Sequence, residues 1–255
     1  MTEQEPDKAP QTDTAISLLR SVLLETAHEL RSPLHNILSL CYALKDTPDK
    51  GKADTIYQNL KAEIYRAKMT LDNMFSFRSG LEESGRMDRR RVDMATVVAE
   101  CADMVRVIAS QRNIAVAVSG PATHATVHAD PQLLRMALLN IIHNAVKYAY
   151  SNTRVDIRIE EGSRDIVISV KDEGIGIPHA ATEHIFDAFW RGDKDHRRSL
   201  PGTGIGLYAA KRILDAHKAH ITVKSIPVGA HVSKSPESEE REHHLVTFDV
   251  RIPKA

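Results

Sequence analysis

The chain lacks the features that would mark a disulfide-rich, membrane-spanning or nucleic-acid-coating protein. It has only two cysteines in 255 residues, Cys41 and Cys101, far apart and each in a helical pattern. They form no disulfide or metal framework and fit a reducing compartment. No run of about 18 apolar residues occurs, so no membrane segment and a cytoplasmic location are expected. Residues 1–13 are polar and carry no apolar signal core. Neither charge dominates, because Lys plus Arg and Asp plus Glu are both 34. That balance gives no reason to expect nucleic acid or a basic membrane-binding face. There is no internal repeat. What is present is 42% hydrophobic residues, enough to build one large or two ordinary domains.

The first part is helical. Ile16, Leu19, Leu23, Leu30, Ile37, Leu40 and Leu44 keep a spacing of three or four, with Thr26 and Pro33 as exceptions. Ala53, Tyr57, Leu60, Ile64, Ala67, Leu71 and Met74 repeat the pattern, and Asp46 to Gly51 between them has turn chemistry. After a flexible N-terminus at 1–13, this predicts an antiparallel helical hairpin over 14–79. One hairpin cannot cover both stripes, so a homodimer forming a four-helix bundle is expected. In this register His28 and His35 both point outward. His28 also has Glu29 beside it and Pro33 five residues on. An exposed imidazole next to a carboxylate is a candidate phosphate acceptor.

Residues 80–91, with Arg89, Arg90 and Arg91, read as a polar linker whose arginines are solvated. From 92 to 255 the pattern is mixed. A helix is predicted near 93–110, strand alternation at 114–118, and a helix from Asp130-Pro131 as N-cap and first helical position. Strands at 153–160 and 164–171 suit a hairpin, and further strands are expected near 220–226 and 245–252. Val232 to His244 reads as a loose polar loop. The mixture suggests an α+β fold with a two-layer sandwich.

Three segments of this second part carry chemistry. Asn140, Asn144, Lys147 and Ser151 fall at i, i+4, i+7 and i+11, one narrow helix face. The opposite face, Leu134, Leu138, Ile141, Ala145 and Ala149, would pack on a sheet. An asparagine oxygen suits magnesium shared with phosphates, and Lys147 adds positive charge. Asp172-Glu173-Gly174-Ile175-Gly176-Ile177-Pro178 follows a strand, and Asp172 offers a carboxylate to an adenine amino group. Gly202-Thr203-Gly204-Ile205-Gly206-Leu207 precedes a helix, a setting for phosphate contact. Between the two clusters, Phe186 to Pro201 is long, charged and aperiodic, with Arg191, Lys194, Arg197 and Arg198, as expected for a lid.

Together these segments resemble the transmitter region of two-component sensor histidine kinases, over about residues 14–252. His28 to Pro33 is similar to the phospho-acceptor box and Asn140 to Tyr148 to the asparagine box. Asp172 to Pro178 and Gly202 to Leu207 resemble the glycine boxes, and Phe186 to Phe189 the phenylalanine box. The resemblance implies a dimeric hairpin followed by an ATP-binding domain of the kind shared with type II topoisomerases. Asp172 would read the adenine amino group and Tyr148 would lie against the ring. Asn144, helped by Asn140, would hold Mg2+ at the phosphates. Lys147 and the backbone of Gly202, Thr203, Gly204 and Gly206 would contact the phosphates, and Leu207, Gly174 and Gly176 are further expected cofactor-binding residues. His28 would attack the γ-phosphorus, and Glu29 would orient the ring or take its proton. The phosphoryl group would pass to a response regulator receiver domain. Pro33 favours a kink beside the acceptor.

Two positions depart from the family. Ser32 stands where Thr or Asn is usual, at the position linked to phosphatase activity. Ala216-His217-Lys218-Ala219 lacks the glycines common there. The alternative is a catalytically silent ATP-binding scaffold or response-regulator phosphatase of the same architecture. A topoisomerase or chaperone ATPase does not explain the acceptor box. His124 with His128, His217 with His220, and His243 with His244 have no cysteine or acidic cluster beside them, so no further metal site is expected.

Overall fold

The computed structural model of the chain describes residues 9–81, 87–120, 125–192, 202–231 and 241–254. It divides into two compact units, residues 1–78 and 79–255. The first holds two long helices, α1 (Ala9–Lys45) and α2 (Lys50–Leu81). Helix α1 runs through Pro33 without interruption. Asp49 precedes α2, and its side chain accepts the Lys52 N–H at 2.8 Å, which satisfies one of the unpaired donors of the first turn. Lys50 and Gly51 therefore belong to the helix and not to the turn. Leu23, Tyr57, Ile64 and Leu71, all from the two apolar stripes, are exposed in the single chain.

The second unit is built on a five-stranded sheet. Its strands are β2 (Ala115–Ser119), β4 (Arg154–Glu161), β5 (Asp165–Gly174), β6 (His220–His231) and β7 (Arg241–Pro253). Their spatial order is β2-β4-β5-β7-β6, with β2 parallel to β4 and every other pair antiparallel. Three helices, α3 (Met94–Ser110), α4 (Pro131–Tyr148) and α5 (Gly206–Ala216), make the second layer. Helix α4 packs between α3 and α5 and lies on β5. A separate antiparallel pair, β1 (Arg90–Asp93) with β3 (Thr126–Ala129), stands outside the main sheet. Arg90 and Arg91, read as linker, are thus the first residues of a strand.

Alternation sets the core. Val155, Ile157 and Ile159 of β4, Ile166, Ile168 and Val170 of β5, and Val246, Phe248, Val250 and Ile252 of β7 are buried. They meet Leu134, Leu138, Ile141, Ile142 and Ala145 of α4, also buried. Each such side chain contributes about 1.5–3 kcal/mol relative to an exposed one. Helix ends are fixed by short-range chemistry. Asp93 accepts Ala95 N–H at 3.1 Å and starts α3, and Asp130 accepts Gln132 and Leu133 N–H at 3.0 and 3.2 Å and starts α4. Pro131 sits at the first position of α4, where no N–H is needed. Asp130 also accepts the Asp88 N–H at 3.1 Å, and Asp130 N–H donates to His217 Nε2 at 3.1 Å. The segment before β1 is tied in this way to the start of α4.

Candidate nucleotide site

Helix α4 carries the first group of candidate residues. Asn144, Lys147 and Tyr148 are half-buried, while Asn140 is buried to 3% exposure and its Nδ2 has no hydrogen-bond partner. Lys147 Nζ lies 4.8 Å from the centre of the Tyr148 ring, within cation–π range. Ser151, expected on the same helix face, lies in the exposed turn beyond the helix, because α4 ends at Tyr148. Ala149 is buried as predicted, but as the residue that leaves the helix in extended conformation.

Strand β5 supplies the second group. Its inward row reads Ile166, Ile168, Val170, Asp172, so a carboxylate occupies the next core slot, opposite Val246 of β7. Asp172 is 2% exposed, and its Oδ1 has no hydrogen-bond partner. Burial pushes the carboxyl up to about 8, since a charge is poorly solvated there. The end of β5 is fastened to the end of α4. Ala149 bridges to Gly174, Tyr150 N–H donates to Glu173 O at 2.9 Å, and Ile175 N–H donates to Tyr148 O at 3.3 Å. A Cβ on Gly174 would stand 2.2 Å from Tyr148 O, so only glycine permits this approach. The fastening brings Asp172 and the Asn140 to Tyr148 segment to one region.

The third group precedes α5. Gly204 has φ +73°, and a Cβ there would meet Trp190 O at 2.7 Å and Phe189 Cα at 2.9 Å. Phe189 itself has φ 64° and donates its N–H to Gly204 O at 3.1 Å. The phenylalanine segment and the second glycine cluster are therefore one packed unit. Thr203 is buried, and its Oγ1 accepts the Ile205 N–H at 3.3 Å. Gly202 and Leu207 are half-buried, and α5 begins at Gly206 with no side-chain cap. An uncapped helix start of this kind suits an anion. Gly176 lies half-buried beyond β5. Arg191 is half-buried, whereas Lys194, Arg197 and Arg198 lie outside the described residues.

The acceptor candidates lie on the other unit, in α1. His28 and Ser32 are exposed and Glu29 is half-buried; His35 is exposed as well.

Residues 129–254 match the family of histidine kinase-, DNA gyrase B-, and HSP90-like ATPases. This segment of the chain is a domain of that family. The sensor-like histidine kinase SenX3 of Mycolicibacterium smegmatis is 30% identical over 231 residues, covering 88% of this chain and 59% of that protein. The sensor protein kinase WalK of Staphylococcus epidermidis is 27% identical over 211 residues, covering 81% of this chain. This chain spans only 34% of WalK. The solved complex of the histidine kinase ThkA with the response regulator protein TrrA shares the fold. Its TM-score is 0.55 at 20% identity, covering 99% of this chain and 68% of that one. No helix among the described residues is long and apolar enough to cross a membrane.

The histidines have other roles than the pairs in sequence suggest. Residues 232–240 of the expected loop lie outside the described residues, but Arg241 to His244 belong to β7, so the loop reading is corrected there. His243 is buried, stacked on Tyr150 at 4.2 Å, with Nδ1 2.8 Å from Glu173 Oε1. His244 Nδ1 lies 3.1 Å from Ser225 Oγ. Adjacent strand residues face opposite ways, so the two rings turn apart. His217 is buried, and its Nδ1–H donates to Ile213 O at 2.7 Å, while His220 is exposed. His124 lies outside the described residues.

Sequence reasoning missed one structural residue beside the site, Arg112. It sits in the turn after α3, and its guanidinium donates to the last carbonyls of α4. The available signal was the pair Asn113 and Asn152. Both tolerate left-handed backbone, and both adopt it, with φ 55° and 64°.

Proposed function

We propose that the chain is an ATP-dependent protein histidine kinase of a two-component system, autophosphorylating His28. Asp172 carries the reading. A carboxyl in a core slot with a partnerless oxygen destabilises the fold unless a ligand donor meets it, and an adenine amino group supplies one. Asn140 Nδ2 is a second buried atom that a ligand acceptor would satisfy. The named kinase relatives and the exposed His28 support the same assignment.

In this reading Asp172 selects adenine and Tyr148 flanks the ring, with Gly174 and Gly176 holding the backbone close. Lys147 leaves the Tyr148 face for the phosphates, which the Gly202 to Leu207 backbone and the start of α5 also meet. Arg191, with Arg197 and Arg198, covers the nucleotide. Asn144 and Asn140 fit magnesium, a hard ion that takes oxygen ligands and shares phosphates. Held there, magnesium would supply charge neutralisation at the transferring phosphoryl group. His28 attacks in its neutral form, since only an unprotonated ring nitrogen carries the lone pair that forms the new bond. A nitrogen–phosphorus bond forms, the bond to the β–γ bridging oxygen breaks, and the other ring nitrogen gives its proton to Glu29. ADP leaves, and an aspartate of a response regulator then takes the phosphoryl group.

The exposed apolar stripe residues Leu23, Tyr57, Ile64 and Leu71 support a homodimeric four-helix bundle, since a second copy covers them. We place 14–79 as the dimerisation and acceptor domain and 92–255 as the catalytic domain, working in the cytoplasm. The deciding experiment is incubation with γ-labelled ATP and magnesium. Acid-labile, base-stable label that His28→Gln abolishes is expected. Nucleotide binding with no label would instead mean a silent scaffold.

A further inference from the structure

The C-terminal end of α4 shows an unusual division of labour. The last carbonyls of a helix have no partners within it. Here Ala145 O accepts Ala149 N–H at 3.0 Å, and Tyr148 O accepts Ile175 N–H at 3.3 Å. Arg112 takes the others. Its Nη1 donates to Val146 O at 3.0 Å and Lys147 O at 2.9 Å, and its Nη2 donates to Ala149 O at 2.6 Å. A cation at this end also meets the negative pole of the helix.

The turn that carries Arg112 is itself clamped. Arg112 O accepts Asn152 N–H at 3.2 Å, and Asn113 Nδ2 donates to Asn152 Oδ1 at 3.2 Å. Ala115 N–H donates to Thr153 O at 3.0 Å, and Thr153 Oγ1 donates to Tyr150 O at 2.6 Å. One junction thus fixes the start of β2, the start of β4 and the exit of α4. The carbonyls that Arg112 holds belong to Val146, Lys147 and Ala149, and Tyr148 lies between the last two.

We propose that Arg112 is a positioning residue of the nucleotide site. Its fork fixes the backbone of Val146 to Ala149, and so sets where the Lys147 ammonium and the Tyr148 ring meet the nucleotide. Lysine does not replace it, because an ammonium is a point charge and cannot span three carbonyls as a planar fork does. This inference rests on the nucleotide reading above.

The test is binding of a non-hydrolysable ATP analogue with magnesium to the full chain, alongside thermal unfolding. The variants are Arg112→Met, Arg112→Lys, Lys147→Met, the double Arg112→Met/Lys147→Met, and Ile252→Ala. Ile252 is a buried control whose register on β7 is six residues beyond the partner of Asp172. Arg112→Met is expected to weaken binding by roughly tenfold or more, as small misplacements of binding groups do. Arg112→Lys should fall between it and the wild type. The double variant should lose clearly less than the sum of the two single losses, which marks action in part through Lys147. Ile252→Ala should lower the unfolding temperature and leave affinity unchanged. If Arg112→Met lowers stability without weakening binding, or its effect adds fully to that of Lys147→Met, Arg112 is only a helix cap and the inference fails. If Arg112→Met does not fold, wild-type affinity in Arg112→Lys overturns it. If the wild type binds no nucleotide, the site reading itself falls, a result distinct from all of these.

Discussion

Asp172 and His217 are both buried titratable side chains in the same domain, and their surroundings differ in one respect. His217 has both ring nitrogens engaged, Nδ1 with Ile213 O at 2.7 Å and Nε2 with the Asp130 N–H at 3.1 Å. Asp172 leaves Oδ1 buried and partnerless. Each is desolvated. Burial drives the Asp172 carboxyl up to about 8 and lowers His217 below its ordinary value. Arg89 adds to the lowering at His217, and the Ile213 carbonyl and Asp130 oppose it. A satisfied buried polar group joins helices, here the end of α5 to the start of α4. An unsatisfied one implies a partner from outside the chain.

The largest expected effect breaks that contrast at Asp172. Asp172→Ala should weaken nucleotide binding by about a hundredfold or more, because a site built around a hydrogen bond loses most when the bond cannot form. The same change should leave the ligand-free protein as stable as before or more stable, since it removes a buried group without a partner. Isothermal titration and thermal unfolding measured together decide it. A strong loss of ligand-free stability would mean that Asp172 is structural.

At the other end of α4, His217→Ala should do the reverse. It strips partners from Ile213 O and Asp130 N–H and opens a cavity, at a cost of about 2–4 kcal/mol. Nucleotide affinity of the folded protein should stay within about twofold, a change worth well under 1 kcal/mol. Chemical denaturation with a binding titration checks both halves.

A pH series separates the two groups by sign. Asp172 has a folded value raised from 3.8 to about 8. Its contribution to stability is complete below pH 3.8 and is lost as pH rises towards 8. His217 has a folded value below 6.5. Its contribution is present above pH 6.5 and is lost as pH falls through the folded value. Asp172→Asn should therefore remove a decline of ligand-free stability that runs from pH 3.8 up to about 8, whereas His217→Gln should remove a decline on acidification. Denaturation midpoints across pH 5 to 8.5 test this pair, and a descending limb that survives Asp172→Asn would contradict the assignment.

Much of this was legible in the sequence because it is local. Asp130-Pro131 names its own helix start, and Ile166, Ile168 and Val170 announce a strand face that Asp172 continues. The glycine clusters reflect close approaches that only glycine allows, as at Gly174 beneath Tyr148 O. What was not legible is pairwise and distant. Strands β1 and β3 have four residues each, too few for a period to register. The polar start of β7 reads as loop because its histidines find partners on other strands, Glu173 and Ser225. Arg112 reaches carbonyls more than thirty residues away, and the adjacent Asn113 marks a turn without naming the helix end that the guanidinium meets.

The smallest predicted effect returns to the His217 end. Lys218 has φ 58°, a left-handed backbone that side chains other than glycine adopt at a cost. The turn is closed by Lys218 N–H to Asp215 O at 2.9 Å and Ala219 N–H to Leu214 O at 2.9 Å, which ends α5. Ala219 is buried, and β6 starts at the next residue. The backbone is therefore held in this conformation by packing on both sides. Sequence comparison with the kinase family singled out this place as one lacking glycine, and the structure supplies the reason glycine suits it. Lys218→Gly should stabilise the domain by about 0.5–1 kcal/mol, the strain relieved less the extra entropy of the unfolded glycine. Lys218 is exposed and makes no part of the site, so affinity should not change. A destabilised Lys218→Gly protein would show that the entropy of the unfolded chain outweighs the strain.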